Sequence, residues 1–358
     1  MVAENSGVFN RKNTVVFSLQ HRYFTIASYS IANDLWGMKK ILICCCFILW
    51  VHSDLMAWGF YAHRLINKHA VFLLPPEMIV FFKPHIGYLE ERATAPDSRR
   101  YMVQEEGPRH YIDLDHYGTY PFDSLPRKWT AASEKFGQDI LNAHGIVPWW
   151  IQTMLARLTK AFSNKDPVNI LKTAAELGHY IADAHVPLHT SSNHNGQKTN
   201  QHGIHAFWES RIPELLAETE WDLLTGKGFY IEDPFRFTWQ FVLESAGAAD
   251  SVLNLEALLN RSFPQERKFA FEFRNGQLIK QYSSDYSIQY NKSLNGMVER
   301  RLRSSIHAVA SFWITAWTEA GQPDLSMLEK PAWSEAERKE METLQAFWKT
   351  PLAGAGCH

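Results

Sequence analysis

The sequence predicts an all-α protein, with a single multi-helix domain over residues 58–325. Three observations indicate this class. Apolar residues recur at helical spacing in several stretches, no run of alternating strands is expected, and no Pro/Gly/Ser-rich linker interrupts these residues. The chain has 358 residues, of which 46% are hydrophobic and 21% are charged. This composition is typical of a packed globular protein and excludes a disordered chain.

Each helix is predicted either from residues typical of a helix N-terminus or from apolar residues that recur on one face. Asp166 followed by Pro167 is typical of a helix start, because the Asp side chain caps free N–H groups and proline suits the first turn. Ser334 and Glu337 form a capping-box pattern before the last helix. The predicted helices, in chain order, are 133–141, 149–162, 167–184, 203–216, 294–320 and one after Ser334, with a loop at 226–233.

Residues 38–57 have the pattern of a secretory signal peptide. Lysines precede the apolar run 41–51, and the small residue Ala57 stands before Trp58. The run is too short to span a membrane, which takes about 20 residues. We therefore expect an exported protein, periplasmic or secreted, that is cleaved before Trp58 and keeps no transmembrane anchor. A buried core strand is the alternative for the run, and residues 1–37 are an upstream extension or a misassigned start.

Cysteine content and charge limit the classes of protein that are possible. Three of the four cysteines are adjacent, at 44–46, and the fourth is Cys357. A disulfide scaffold or a thiolate zinc site is therefore not expected, and any metal would bind through histidine and carboxylate side chains. The net charge of -2 provides no general basic field, so we expect no whole-surface attraction to nucleic acid or to an anionic membrane.

Six of the 16 histidines lie between residues 179 and 205. His179 and Asp183 are four residues apart on a predicted helix, and so are His205 and Glu209. This spacing places each pair on one helix face, close enough to share an ion. One pair alone is usually an ordinary surface pair, but two pairs with His189 between them favour a metal site.

The remaining histidines of this stretch have simpler interpretations. His194 and His202 lie in a polar loop over 191–201 and just after it, which favours solvent exposure. His185 follows His179 by six residues and therefore points to another part of the helix surface, which favours packing or support of a ligand.

With positions further upstream, these residues resemble the family that contains S1/P1 nucleases and bacterial zinc-dependent phospholipases C. The resemblance runs from Trp58 to about Leu325, with nine separated positions in the family's order, and it leaves 326–358 as a C-terminal helical tail. It implies the family's all-α fold around three zinc ions. The implied ligands are Asp97, His110, His179 and Asp183 for the first ion, His189, His205 and Glu209 for the second, and the α-amino nitrogen and carbonyl oxygen of Trp58 with His63 and Asp183 for the third.

The resemblance also implies roles for three residues near the zinc ions. Asp97 would orient or deprotonate the attacking water, and Arg100 would grip the phosphate with two hydrogen bonds. Tyr111 stands where nucleases have a phenylalanine that stacks on a base. A solvated charge is the alternative for Arg100, and core packing is the alternative for Tyr111.

The predicted function is therefore an exported zinc-dependent phosphodiester hydrolase. The nuclease interpretation gives single-stranded nucleic acid or 3′-nucleotides as substrates and a zinc-activated water as nucleophile. A phospholipase C that acts on lipid headgroups is the alternative, favoured by Glu209, where nucleases usually have Asp, and by the short interval from His189 to His205. A non-catalytic zinc-binding module is a further alternative. We predict no stable protein partner.

Overall fold

Helices form most of the chain that the structure describes. The computed structural model describes residues 59–274, 277–328 and 330–349, so the predicted signal peptide lies outside the described residues. A π-helical turn, Phe207–Arg211, joins two of the α-helices, and 3₁₀ turns occur at Lys83–His85, Gln104–His110, Leu114–Tyr117, Pro187–Thr190 and Gln265–Arg267. The α-helices are α1 (Phe60–Val71), α2 (Pro76–Phe82), α3 (Ile86–Arg92), α4 (Ala95–Arg99), α5 (Trp129–Phe136), α6 (Gln138–Ala143), α7 (Val147–Ser163), α8 (Pro167–Ala184), α9 (Ile204–Ala206), α10 (Ile212–Glu220), α11 (Pro234–Ser262), α12 (Ser284–Ser293), α13 (Met297–Glu319) and α14 (Glu335–Lys349).

The all-α class is confirmed, and α8 follows its prediction most closely. Its N-cap Asp166 accepts a hydrogen bond from the Asn169 N–H, with Pro167 in the first turn. From Ala174 to Ala184 every residue of α8 is buried, so this helix passes through the centre of the core. The Trp313 indole of α13 donates to the carbonyl oxygen of Ala174, at 2.9 Å, which fixes these two helices together.

Glycines change the limits of two predicted helices. The stretch 133–141 divides at Gly137, whose φ is +82°, into α5 and α6. The stretch 294–320 begins only at Met297, because Gly296 has a left-handed backbone with φ +72°. Glycine adopts positive φ without the steric penalty of a Cβ, so these positions end one helix and start another.

One short β-hairpin was not predicted from the sequence. Strand β1 (Phe269–Arg274) pairs with β2 (Gln277–Tyr282) in an antiparallel hairpin that aligns Phe269 with Tyr282 and Phe273 with Leu278. The sequence does carry a hairpin pattern here, since phenylalanine alternates with other residues along β1 and an Asn-Gly dipeptide follows it. A single short hairpin leaves the helical class intact.

Helices α1 and α8 approach each other closely at Gly178. A Cβ added at Gly178 would lie 2.0 Å from Oδ1 of Asn67, so only glycine fits against α1 at this point. Asn67 itself is buried, and its amide donates to the carbonyl oxygens of Leu89 and Ala175, at 3.1 Å and 3.0 Å. This contact holds the residues of α1 beside those of α8.

The C-terminal helix α14 has the predicted capping box. Ser334 Oγ accepts from the Glu337 N–H, and the Glu337 carboxylate accepts from the Ser334 N–H. The helix is attached to α3 by a 2.6 Å ion pair between Glu340 and the buried Arg92. In the part of the chain that the structure describes, no helix combines the length and apolarity that a membrane crossing requires.

Candidate metal centre

The predicted metal ligands within the described residues come together in the core. Eight of the nine positions are described, and all eight are buried; Trp58, the ninth, lies outside the described residues. They form three groups whose potential ligand atoms lie within 4.8 Å of one another, namely His63, Asp97 and His179; His110, His179 and Asp183; and His189, His205 and Glu209.

Helix α8 supplies the centre of this cluster. His179 and Asp183 are one turn apart, with Nε2 and Oδ2 separated by 3.2 Å, as the sequence spacing indicated. Asp183 Oδ2 also lies 2.8 Å from Nδ1 of His110, which stands at the end of a 3₁₀ turn. Asp97, on the short helix α4, lies 3.7 Å from the nitrogens of both histidines. Two separate elements therefore meet one turn of α8.

Helix α1 adds His63 to the same cluster. Its ring stacks on His179 with the centroids 3.9 Å apart, and its Nε2 lies 3.3 Å from Asp183 Oδ1. This stacking requires the close approach of the two helices that Gly178 permits. The packing of α1 against α8 thus decides the position of His63.

The second group lies on the other side of Asp183. His205 and Glu209 are separated by 3.1 Å between Nε2 and Oε2, although the helix between them changes from α to π. His189, in the 3₁₀ turn Pro187–Thr190, is 3.7 Å from Glu209. It is also 4.0 Å from Asp183 Oδ1, so Asp183 lies between the two groups.

Backbone carbonyl groups orient three of the imidazoles. Nδ1 of His179 lies 2.8 Å from the carbonyl oxygen of Ala93, Nδ1 of His189 lies 2.6 Å from that of His110, and Nδ1 of His205 lies 3.0 Å from that of His194. A carbonyl oxygen can only accept, so Nδ1 carries the proton in each ring. Nε2 is then the atom with a free lone pair, and in each ring it faces the cluster.

Burial keeps most of these histidines neutral. It lowers the pKa of His63 to about 4, with the neighbouring charge of His179 acting in the same direction. Burial also lowers the pKa of His189 and holds that of His205 well below its ordinary value. At His179, burial is outweighed by Asp183 and Asp97, which raise its pKa. Neutral imidazoles are the form that binds metal.

Asp183 is held in its ionised form. Burial alone would raise its pKa, but His179, His189 and the hydrogen bond from His110 outweigh burial and hold the pKa well below its ordinary value. A fully buried carboxylate with a negative charge and several imidazole neighbours is a strong ligand for a cation.

Several buried polar atoms of the cluster make no hydrogen bond to any described residue. They are both nitrogens of His63, both carboxylate oxygens of Asp97, Asp183 Oδ1, His110 Nε2, His189 Nε2 and His205 Nε2. Buried donors and acceptors in proteins are nearly always satisfied, and each unsatisfied one costs about 1–3 kcal/mol. The donor set is imidazole nitrogen and carboxylate oxygen, which fits zinc and other transition metals.

Arg100 and Tyr111 lie at the edge of the cluster. The Arg100 guanidinium is 3.7 Å from Asp97 and its side chain is 21% exposed. Its charge also helps to lower the pKa of His189, which places it near the second group as well. Tyr111 follows His110 directly and is half-buried, and its hydroxyl donates to the carbonyl oxygen of Ala143 at 3.2 Å.

Glu106 is a residue of this region that was not predicted from the sequence. It is fully buried, and Oε1 lies 3.6 Å from Nε2 of His110, on the side of that ring that faces away from Asp183. Tyr180 also donates to Glu106. The spacing of Glu106 and His110 repeats the four-residue carboxylate–histidine spacing used above, but outside a predicted helix it was not informative.

The other histidines of the cluster region do not supply ligands to these groups. His185 is buried and stacks on Phe241 with a centroid distance of 4.4 Å, in agreement with a packing role. His202 is exposed, as expected for its loop. His194 is partly buried rather than exposed; its carbonyl oxygen accepts from Nδ1 of His205, and the two rings lie edge to face with centroids 6.5 Å apart.

Comparison with known proteins agrees with this geometry. A protein-family model described as S1/P1 Nuclease matches residues 58–305, which is more than half of the chain and includes every residue of the cluster. The match supports a nuclease-type phosphodiester hydrolase that depends on metal and acts on nucleic acid. A search of curated proteins found no match to this chain.

Proposed function

Because this chain belongs to the S1/P1 nuclease family, we propose that it is an exported, zinc-dependent hydrolase that cleaves single-stranded nucleic acid or 3′-nucleotides. The observation that carries the proposal is the buried cluster of imidazole nitrogens and carboxylate oxygens, several of which make no hydrogen bond to a described residue. Such a set of atoms is stabilised by cations rather than by further protein groups.

We assign the ligands as the resemblance to the family implies. Asp97, His110, His179 and Asp183 hold one ion, and His189, His205 and Glu209 hold a second. His63 and Asp183 hold a third, together with the main chain of Trp58. Bound zinc neutralises charge on the phosphate and lowers the pKa of a bound water to near neutrality.

The protein itself contributes proton handling and orientation. Asp97 has both oxygens without a hydrogen bond to a described residue, so it is able to accept a proton from the attacking water or to orient it. Arg100, 3.7 Å from Asp97 and partly exposed, grips the non-bridging phosphate oxygens with a planar guanidinium. Tyr111 offers one ring face next to His110 on which a base stacks.

Signal-peptide removal completes the site in this proposal. The α-amine of Trp58 becomes a ligand only when the bond before it is cut, and its ordinary pKa near 8 allows a metal to displace its proton. Precursor protein should therefore bind one zinc ion fewer than protein that begins at Trp58. Equal zinc content in the two forms, measured by atomic absorption, would refute the role of Trp58.

The substrate is tested with mature protein, zinc, and three substrates offered separately: single-stranded DNA, RNA and phosphatidylcholine. We expect cleavage of nucleic acid and its complete loss with chelator. Cleavage of the lipid alone would replace the nuclease assignment with a phospholipase C, the alternative favoured by Glu209 and by the interval before His205. Stoichiometric zinc without hydrolysis of any substrate would instead identify a non-catalytic zinc-binding module.

A further inference from the structure

The hairpin of β1 and β2 presents an aromatic face to solvent. Directly paired residues of an antiparallel ladder share one face, so Phe269, Phe271 and Phe273 lie on the same side as Leu278 and Lys280. The exposed fraction rises along this face, from 40% at Phe269 to 69% at Phe271 and 77% at Phe273. Exposed apolar groups that adjoin one another in this way mark interaction surfaces in soluble proteins.

Both sides of the hairpin contact the turn that carries the second metal group. Arg211 forms a two-point ion pair with Glu272 of β1, at 2.7 Å and 3.3 Å, and donates to the carbonyl oxygen of Tyr282 in β2. On the aromatic face, Tyr282, the partner of Phe269, stacks on Phe207 with the ring centroids 3.8 Å apart. Phe207 and Arg211 belong to the same π-helical turn as Glu209, so the aromatic face has a fixed position relative to the metal centre.

The positive charge on the hairpin favours binding of a polyanion whose own rings are exposed. The ammonium group of Lys280 is exposed and lies 4.3 Å from the centre of the Phe269 ring, within the aromatic face. By contrast, the neighbouring Lys268 is paired with Glu256 at 3.0 Å and is not available to a ligand. A cation among aromatic rings is the combination that binds single-stranded nucleic acid, in which bases stack and phosphates pair.

The far end of the hairpin argues against insertion into a bilayer. Arg274 and Gln277, the last paired residues of the two strands, are charged and polar, and the sequence between them is Asn-Gly. A hairpin that enters a membrane by its end would carry apolar residues there, because unsatisfied polar groups are costly in hydrocarbon. The apolar surface lies instead on the face of the hairpin, where the phenylalanine rings at alternate residues of β1 are about 7 Å apart.

We propose that this aromatic face binds single-stranded nucleic acid by base stacking, outside the metal centre. Phe271 and Phe273 provide the exposed rings, and Lys280 pairs with a phosphate between stacked bases. The proposal rests on the nuclease function proposed above and adds a secondary site that holds long strands. Substrates of one nucleotide would occupy the metal centre alone and would not reach the face.

The test is the double variant Phe271→Ala/Phe273→Ala, compared with wild-type protein on two substrates. For a single-stranded oligonucleotide we expect KM to rise by about 10-fold or more, since each stacked base contributes substantially to binding. For a 3′-mononucleotide we expect kcat and KM to stay unchanged. Phe72→Ala is the matched control, because Phe72 is 48% exposed at the end of α1 and should affect neither substrate.

Other outcomes identify other occupants. Unchanged oligonucleotide KM in the double variant overturns the proposal. In that case, loss of binding to phosphatidylcholine–phosphatidylglycerol vesicles would assign the face to lipid, and loss of a dimer in sedimentation would assign it to a second copy. If wild-type protein hydrolyses neither substrate, the nuclease function fails separately. Binding of a phosphorothioate oligonucleotide, measured by fluorescence anisotropy, then still tests the face, and equal affinity of both proteins overturns it.

Discussion

Two buried polar clusters include residues of α8 and lie within one turn of each other. In one cluster the charged side chains pair with each other, whereas in the other several polar atoms have no hydrogen-bond partner among the described residues. The metal centre uses His179 and Asp183, while the second cluster, which we call the ion-pair cluster, uses Glu176. In the ion-pair cluster each charge lies within 3.4 Å of an opposite one, and arginines and glutamates balance in number. The pairs are Arg92–Glu176, Arg99–Glu176, Arg99–Glu106, Arg109–Glu106 and Arg92–Glu340.

We infer from this difference that the ion-pair cluster stabilises the fold, whereas the proposed metal centre carries the function. Burial would raise the pKa of Glu176, but Arg99 and Arg92 outweigh it and lower that pKa, so the protein alone stabilises the charge. In the metal centre, both oxygens of Asp97 and one of Asp183 make no hydrogen bond to a described residue. Burial by itself therefore does not distinguish the two clusters, whereas the presence or absence of protein partners does.

The largest expected effect comes from breaking the metal centre. His179→Ala removes the residue shared by two of the three ligand groups, and hydrolysis of nucleic acid should fall by about three orders of magnitude. Zinc content should fall with it. His202→Ala is the matched control, since His202 is exposed, and a steady-state assay should find its activity unchanged. Full activity in His179→Ala would refute the site.

Breaking the ion-pair cluster should instead act on stability. Glu176→Ala leaves the buried Arg92 and the partly buried Arg99 without their shared carboxylate, so the free energy of unfolding should fall by about 3–5 kcal/mol. The loss should be similar with zinc and with chelator in urea denaturation. Glu105→Ala, at an exposed site, should change little. A loss confined to the zinc-loaded protein would show that the clusters are not separate.

The ion-pair cluster should also contribute to the pH dependence of the free energy of unfolding. The pKa of Glu176 lies below its ordinary value of 4.5 in the folded protein, so the unfolded chain binds more protons between the two values. Its contribution is complete above about pH 4.5 and is lost as pH falls towards the folded pKa. Urea denaturation with chelator should therefore show a shallower decline for Glu176→Gln than for wild type. Parallel curves would contradict this.

Glu106 is the point at which the two clusters meet. It pairs with Arg99 and Arg109, and it lies 3.6 Å from His110. As a positioning residue for that ring, Glu106→Gln should weaken zinc binding by about 10-fold, measured by competition with a chromophoric chelator. Excess zinc should restore kcat, which a purely structural defect would not allow. Unchanged affinity would assign Glu106 to the ion-pair cluster alone.

The smallest effect is expected at the outer end of the ion-pair cluster. Glu340 of α14 is 36% exposed and contacts Arg92, so Glu340→Gln should reduce the free energy of unfolding by about 1 kcal/mol or less. Activity should be unchanged. A measurable fall in kcat would indicate that α14, beyond the family match, influences the metal centre.

Local sequence patterns determined the parts of this protein that depend on neighbouring residues. The cap at Asp166, the course of α8 and the pairs His179–Asp183 and His205–Glu209 all follow from helix spacing. The pairing of Phe269 with Tyr282 was equally local, and its pattern was overlooked among stronger helical ones. The resemblance to the family added the upstream ligands, which no spacing rule connects to α8.

Only the tertiary structure decided which distant residues meet. His63 reaches His179 because Gly178 lets α1 approach α8, and His110 reaches Asp183 from a 3₁₀ turn more than seventy residues away. The same packing brings Arg92 and Arg99 into ion pairs with Glu176, and it leaves Asp97 without a hydrogen bond to a described residue. The physical reason is that the hydrogen-bond partners of a buried polar atom come from every element packed around it. A periodic pattern along one helix carries no information about those other elements.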